Sequence, residues 1–144
     1  MNDLVDAPIW IAEKAAVVVR DDLETWQKLN VCGFLTSGLG TVRPELIGPP
    51  YRDASGREYT PMLVMPLRVF AADAAGLRRA FDRATARDLQ VAVFSKEMFE
   101  TGDDPSNRAA VATVATTALD LVGIAVIGPR REVDKALDRA RLHN

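Results

Sequence analysis

Short apolar runs alternate with longer amphipathic stretches along the chain. The first run, residues 17–19, is β-branched, and a polar turn joins it to a predicted helix over residues 25–39, with Thr25 as the N-cap. Apolar runs of this length are typical of buried strands. Further strands are predicted around residues 63–70, 91–94 and 121–127.

Helical spacing of apolar residues predicts several helices between these strands. They cover residues 25–39, 74–89 and 104–117, with a last helix after the Gly-Pro pair at 128–129. Asp73 is the expected N-cap of the second helix, and Asp104 followed by Pro105 marks the start of the third. The first helix has a mixed face of large and small apolar residues, made of Trp26, Leu29, Gly33 and Phe34.

Residues 44–66 are rich in proline and break the alternation. Five of the eight prolines fall in this segment, which excludes a regular helix there. A turn at residues 53–56 lies between Tyr51 and Tyr59, so we predict a hairpin-like excursion. Two roles for this excursion stay open: a lid over a pocket, or a contact between two copies of the chain.

The alternation of strands and helices predicts an α/β fold. We expect a three-layer α/β/α sandwich around a sheet of about four or five strands. The 144 residues form one predicted domain, covering 1–144, with the excursion at 44–66. This length is ordinary for one hydrophobic core.

Cysteine and histidine counts restrict the chemistry. Cys32 and His143 are the only residues of their types, so a zinc site of Cys and His ligands cannot be assembled. Acid–base chemistry would fall to Asp, Glu, Lys or Tyr, and we expect no cofactor and no metal site. Cys32 is predicted to be a small buried apolar residue rather than a nucleophile.

Charge and hydropathy restrict the cellular setting. The net charge of −2 gives no general attraction to nucleic-acid phosphates. No apolar run reaches the roughly 18 residues of a membrane span, and the N-terminal MNDLVDAPIW does not resemble a signal peptide. We therefore expect a cytoplasmic protein with no membrane partner.

Four segments spread over the chain resemble known proteins. They are VVVRDDLETWQKLN at 17–30, LIGPPYRDASGREY at 46–59, EMFETG at 97–102 with Asn107 and Arg108 after it, and IGPRREVDKAL at 127–137. On these segments the chain resembles a bacterial family of unknown function that has the type II peptidyl-tRNA hydrolase fold. The resemblance implies a compact domain with a mixed sheet, and a homodimer.

The chain departs from true type II peptidyl-tRNA hydrolases at two places. Those enzymes cleave the ester that joins a peptide to tRNA, and they use a lysine-rich start of the first helix and an Asp-Ala-Gly-Arg-Thr-like segment. Here the helix start has one lysine, Lys28, and FETGDDPSNR at 99–108 replaces the second segment. The resemblance thus implies hydrolysis of an ester, but tRNA is not the favoured partner.

The first candidate site lies where the first strand gives way to its helix, because α/β folds place pockets outside strand ends. Lys28 and Asp22 are candidate catalytic residues: the lysine would stabilise an anionic oxygen, and the aspartate would orient the lysine or a water. Thr25 and Asn30 are candidate ligand-binding residues. In the alternative interpretation, Asp22 and Thr25 cap the helix and Lys28 is solvated.

The polar loop at residues 96–107 is the second candidate. Thr101 offers a hydroxyl and joins the candidate catalytic set, and Asn107 offers an amide and joins the ligand-binding set. The alternative is an Asx-type turn followed by an N-cap.

Two functions stay open. The first is an ester hydrolase with a pocket between residues 22–30 and 101–107. The second is a non-catalytic module that binds a small anionic ligand or associates with a second copy. An enzyme needs Lys28, Asp22 and Thr101 to converge within hydrogen-bond reach, whereas a module does not.

Overall fold

The computed structural model describes residues 7–143. The strands in this part are β1 (Glu13–Arg20), β2 (Tyr51–Arg52), β3 (Glu58–Tyr59), β4 (Leu67–Ala72), β5 (Gln90–Ser95), β6 (Leu121–Pro129) and β7 (Arg141–Leu142). The α-helices are α1 (Ile9–Ala12), α2 (Thr25–Ser37), α3 (Leu39–Val42), α4 (Ala74–Ala86), α5 (Asp104–Ala112) and α6 (Arg130–Ala136). Short 3₁₀ helices cover Pro44–Leu46, Lys96–Phe99 and Thr116–Ala118.

A five-stranded mixed sheet with helices confirms the predicted α/β class. The strand order is β5-β6-β1-β4-β7, with β1 parallel to β4 and antiparallel to β6. β5 is antiparallel to β6, and β7 to β4. Because of these directions, the C-terminal ends of β1, β4 and β5 lie at the same end of the sheet, along the strand direction.

Strand β1 lies at the centre of the sheet and is buried on both faces. Val17 and Val19 pack with Val31 and Leu35 of α2 on one face. On the other face, Ala16 and Val18 pack with apolar residues of α4 and α6. A central strand covered on both sides explains the uninterrupted apolar run in the sequence.

Gly123 of β6 lets α2 lie close to the sheet. A Cβ at this position would lie 2.5 Å from Val31 Cγ1 and 3.1 Å from Leu35 Cδ1. Carbon atoms normally approach no closer than about 3.5 Å, so a side chain here would force α2 outward. The glycine therefore sets the distance between α2 and the sheet.

Helix boundaries correct three predictions. Glu24, not Thr25, is the N-cap of α2, because Glu24 and Gln27 form a capping box in which the Glu24 amide donates to Gln27 Oε1 at 3.0 Å. Asp103, not Asp104, caps α5, because its carboxylate accepts the Ser106 amide. α5 also ends at Ala112, five residues before the predicted end.

The proline-rich segment forms the predicted hairpin. Tyr51 pairs with Tyr59 across β2 and β3. The strand predicted over residues 63–70 begins later, at Leu67, because Leu63 makes an isolated bridge to Ile47 instead of joining the sheet. This bridge joins the two arms of the excursion near its base.

No helix in the described part of the chain is long and apolar enough to cross a membrane. The expectation about a signal peptide rests partly on residues 1–6, which lie outside the described residues.

Candidate functional site

A cleft of about 770 Å³ lies beside the C-terminal end of β5. α2 forms one wall, β5 and the 3₁₀ helix Lys96–Phe99 form the floor, and the loop before α5 with α5 itself forms the other wall. We call it the aromatic cleft. It is lined by Trp26, Asn30, Phe34, Leu35, Ser37, Ala92, Val93, Phe94, Met98, Phe99, Thr101, Gly102, Asp103, Asp104, Asn107, Arg108 and Val111.

α2 contributes a stripe of side chains at helical spacing. Trp26, Asn30 and Phe34 lie four residues apart and face the cleft. Val31 points to the sheet and is buried, and Leu35 is buried between the sheet and the margin of the cleft. Trp26 and Phe34 remain 57% and 58% exposed. The apolar face that the sequence predicts for this helix is therefore open to solvent at these two residues.

Four aromatic rings form one continuous array in the cleft. The centroid distances are 6.2 Å from Trp26 to Phe99, 5.1 Å from Phe99 to Phe94, and 6.1 Å from Phe94 to Phe34. Neighbouring planes are inclined by 69°, 46° and 56°, respectively, which is the tilted geometry that aromatic pairs favour. The Trp26 indole N–H donates to Glu24 Oε2 at 2.7 Å and so fixes its ring.

Hydrogen bonds inside one short segment hold the opposite wall. The Thr101 hydroxyl lies in hydrogen-bond contact with Asn107 Oδ1 and with the Met98 carbonyl. No residue of α5 is buried. The wall therefore depends on polar contacts and on Phe99 rather than on the core.

The charges in the cleft largely pair with one another. Of the lining residues in the described part of the chain, Asp103, Asp104 and Arg108 carry charge. Arg108 Nε donates to Asp104 Oδ2 at 2.7 Å, and Asp103 accepts from the amide and hydroxyl of Ser106. No group of three or more His, Cys, Asp or Glu in residues 7–143 could hold a metal ion.

Lys28 lies on the other side of α2 from the cleft. Its Nζ is 3.2 Å from His143 Nε2, beyond β7 at the far edge of the sheet from β5. Two positions along a helix correspond to about 200° of rotation, so Lys28 and Asn30 face opposite ways. The structure thus does not bring Lys28 together with Thr101 and Asn107.

Asp22 and Thr25 also lie outside the cleft lining. Asp22 Oδ1 accepts from Arg20 Nε at 2.7 Å, and Arg20 in turn reaches Asp120 at the start of β6. Thr25 is the first residue of α2 and does not cap it. Of the predicted site residues, Asn30, Thr101 and Asn107 share the cleft; Lys28, Asp22 and Thr25 do not.

The β2–β3 hairpin holds itself together through Asp53. This carboxylate accepts from the Tyr59 hydroxyl at 2.8 Å and from the amides of Ser55 and Arg57. The hydrogen bond from Tyr59 is the largest cause of the lowered pKa of Asp53. The same bond raises the pKa of Tyr59. All of residues 51–60 are exposed, and the cleft lining contains none of them.

Cys32, a residue of α2, is half-buried and packs at the margin of the core. Burial raises the pKa of its thiol. A thiol with a raised pKa is a poor nucleophile, as expected from the sequence.

Sequence reasoning missed the aromatic lining. The sequence marks Trp26 and Phe34 as part of an apolar helix face, and it gives no binding role to Phe94 or Phe99. One signal was available: α2 also carries Val31 and Leu35 off that face, which makes it apolar around most of its circumference. A helix on one face of a sheet cannot bury its whole circumference.

Similar proteins are likewise of unknown function. A solved structure of a protein of unknown function from Agrobacterium tumefaciens has 41% sequence identity to the chain and a TM-score of 0.88, and the match covers 92% of this chain and 98% of that one. None of the curated proteins matches the chain. The model of the family described as "Protein of unknown function (DUF2000)" matches residues 13–144. The chain therefore belongs to this family.

Proposed function

We propose that the protein binds a small organic molecule in the aromatic cleft and is not a hydrolase. One observation carries the proposal: Trp26 and Phe34 stay more than half exposed while belonging to a continuous array of four rings. Exposed aromatic patches of this kind mark binding sites in soluble proteins. A bound ligand would remove these ring faces from water.

The size and lining of the cleft support a small ligand. Its volume of about 770 Å³ falls within the roughly 300–1,000 Å³ that ligand pockets occupy. Apolar and aromatic side chains dominate the lining, and Asn30, Thr101 and Asn107 add a few hydrogen-bonding groups. This mixture suits a ligand with an apolar body and one or two polar atoms.

The lining gives little support to catalysis. The Thr101 hydroxyl contacts the amide oxygen of Asn107, which cannot act as a general base. Asp103 is occupied as a cap, and Asp104 holds Arg108. Hydrolysis of an ester through Lys28 would need that lysine to leave His143 and cross to the other side of α2.

Ligand binding can be tested with Trp26 as the reporter. In a Trp10→Phe background, Trp26 is the remaining tryptophan, and Trp10 is not among the cleft-lining residues. We expect members of a small-fragment library to change Trp26 fluorescence, and Phe34→Ala to weaken their binding about fivefold or more, as loss of a stacked ring predicts.

Leu29→Ala is the matched control, because Leu29 is a 70% exposed residue of α2 that does not line the cleft. It should leave binding unchanged. If no fragment perturbs Trp26, or if Leu29→Ala weakens binding as much as Phe34→Ala, the proposal fails.

Self-association through the β2–β3 hairpin is a second candidate function. A lone two-stranded hairpin is marginally stable in water, yet here Tyr51 and Tyr59 both face solvent. A second copy packing on these rings would bury them. Shortening the turn at residues 53–56 should then convert a dimer to a monomer in light scattering. A monomeric parent protein would rule this candidate out.

Three further statements remain predictions from the sequence. They are the type II peptidyl-tRNA hydrolase fold, the homodimer and a cytoplasmic location.

A further inference from the structure

We propose that the ligand of the aromatic cleft carries a cationic ammonium group, as a protonated or a quaternary amine. The inference rests on the proposed function and names its ligand class. It runs against the small anion expected from the sequence. Two independent features of the cleft carry it: the faces of the aromatic rings and the sign of the surrounding charge.

The ring array suits a cation. The face of an aromatic ring carries negative potential, and tryptophan is the strongest cation–π partner among the side chains. Trp26 and Phe34 are 57% and 58% exposed and present ring surface to a ligand, whereas Phe94 is buried and Phe99 packs edge to face with Trp26. Cages of several such rings are the usual way in which proteins hold quaternary ammonium groups.

A carboxylate beside Trp26 strengthens the interaction of its ring face with a cation. The indole N–H of Trp26 donates to Glu24 Oε2 at 2.7 Å. This charge-assisted bond shifts electron density into the indole and places a negative charge at its edge. Both effects make the ring face a better partner for a cation and a worse one for an anion.

The free charge of the cleft is negative. Arg108, the basic residue among the described lining residues, pairs with Asp104, and Asp103 has no ion-pair partner within residues 7–143. Residues 96–104 contain four acidic residues and one basic residue, Lys96. Each oxygen of Asp103 accepts one hydrogen bond in the described structure and retains a lone pair for a donor.

The start of α5 does not favour an anion either. A helix N-terminus attracts negative charge through its free amides and its dipole. Here Asp103 already accepts the Ser106 amide, and Asp104 adds a second carboxylate in the first turn. The local positive potential is therefore already compensated by the chain itself.

Three size-matched probes test the sign of the charge. They are 2-phenylethylamine as the cation, 2-phenylethanol as the neutral compound and phenylacetate as the anion, each titrated at neutral pH and low salt with Trp26 as the reporter. We expect the amine to bind about tenfold more tightly than the alcohol, with phenylacetate the weakest. The advantage of the amine should shrink as salt is added.

A variant without the charge of Asp103 tests whether this carboxylate causes the preference for the amine. Asp103→Asn keeps an acceptor that caps α5, so folding is retained. It should weaken amine binding more than alcohol binding, so that the advantage of the amine over the alcohol falls about threefold or more. Asp138→Asn is the control, because Asp138 pairs with Arg83 of α4 on the opposite face of the sheet, and it should change neither.

The possible failures are distinguishable. If the alcohol or phenylacetate binds as tightly as the amine, or if only neutral and anionic library members bind, the ammonium inference is wrong and the aromatic cleft remains a binding site. If neither these probes nor any library member perturbs Trp26, the proposed function fails as well.

Discussion

Replacing Gly123 by alanine should destabilise the protein by pushing α2 off the sheet. The added Cβ would lie 2.5 Å from Val31 Cγ1, about 1 Å inside normal carbon contact. Val31 is fully buried and β-branched, so its side chain has essentially one rotamer in a helix and cannot swing aside. The added Cβ would also lie 3.1 Å from Leu35 Cδ1, so it cannot avoid Val31 by shifting toward Leu35.

The expected cost follows from overpacking of this kind. We expect a loss of about 2 kcal/mol in the free energy of unfolding, which for a chain of this length lowers Tm by roughly 5–8 °C. Urea denaturation followed by circular dichroism measures the first quantity, and a thermal scan measures the second.

Gly33→Ala is the matched control. Gly33 lies on the exposed side of α2, and a Cβ there meets nothing within 4 Å. The same substitution should therefore raise stability by about 0.5–1 kcal/mol, because alanine loses less backbone entropy in a helix.

A double mutant tests the contact itself. Val31→Ala removes the Cγ1 methyl that the new Cβ would strike, so Gly123→Ala should cost about 1 kcal/mol less in that background. The reasoning is refuted if Gly123→Ala alone changes stability by less than about 0.5 kcal/mol, or if the two substitutions are additive.

Three further outcomes are expected. Burial raises the pKa of the Cys32 thiol, so its alkylation rate should keep rising with pH beyond the ordinary cysteine value near 8.5; a plateau below that pH would contradict the assignment. The Tyr59 phenol donates to the Asp53 carboxylate, so this bond supports the hairpin while Asp53 is ionised and Tyr59 protonated. It is lost as pH falls through the lowered pKa of Asp53 or rises through the raised pKa of Tyr59. In a pH titration followed by phenolate absorbance, Asp53→Asn should accordingly lower the midpoint pH of Tyr59 toward 10. An unchanged midpoint pH would exclude the hydrogen bond. Thr101→Val removes the hydroxyl that contacts Asn107, so amide exchange in α5 should speed up about threefold or more with global stability nearly unchanged; a loss of global stability instead would mean that α5 belongs to the core.

The sheet was predictable because its strands leave a simple mark in the sequence. Val17 to Val19 and the run from Leu121 are apolar on both faces, as central strands must be. The Gly-Pro pair at 128–129 correctly located the passage from β6 to α6. These features depend on local sequence, so they could be recognised without knowing what packs against them.

The caps and the face of α2 were harder to predict. Glu24 is an unusual N-cap, and its capping box with Gln27 was overlooked beside the commoner choice, Thr25. Apolar residues surround most of α2, so periodicity did not decide which side meets the sheet. The position of Gly123 decides it, and that is a tertiary contact far along the chain.

The candidate site was half predictable. Three of the residues named from the sequence, Asn30, Thr101 and Asn107, line the two walls of the cleft. Helix geometry alone would have separated Lys28 from Asn30, because residues two apart cannot face the same side. The contact of Lys28 with His143 could not be foreseen, since it depends on β7 pairing with β4 at the sheet edge.

The absence of buried residues in α5 has a consequence for how this family can diversify. One wall of the aromatic cleft carries almost none of the folding energy, so mutations in α5 can reshape what the cleft accepts without unfolding the protein. The α2 wall has no such freedom, because Val31 and Leu35 are held over Gly123. We expect relatives to share the ring-bearing wall and to differ along α5, each with its own ligand preference.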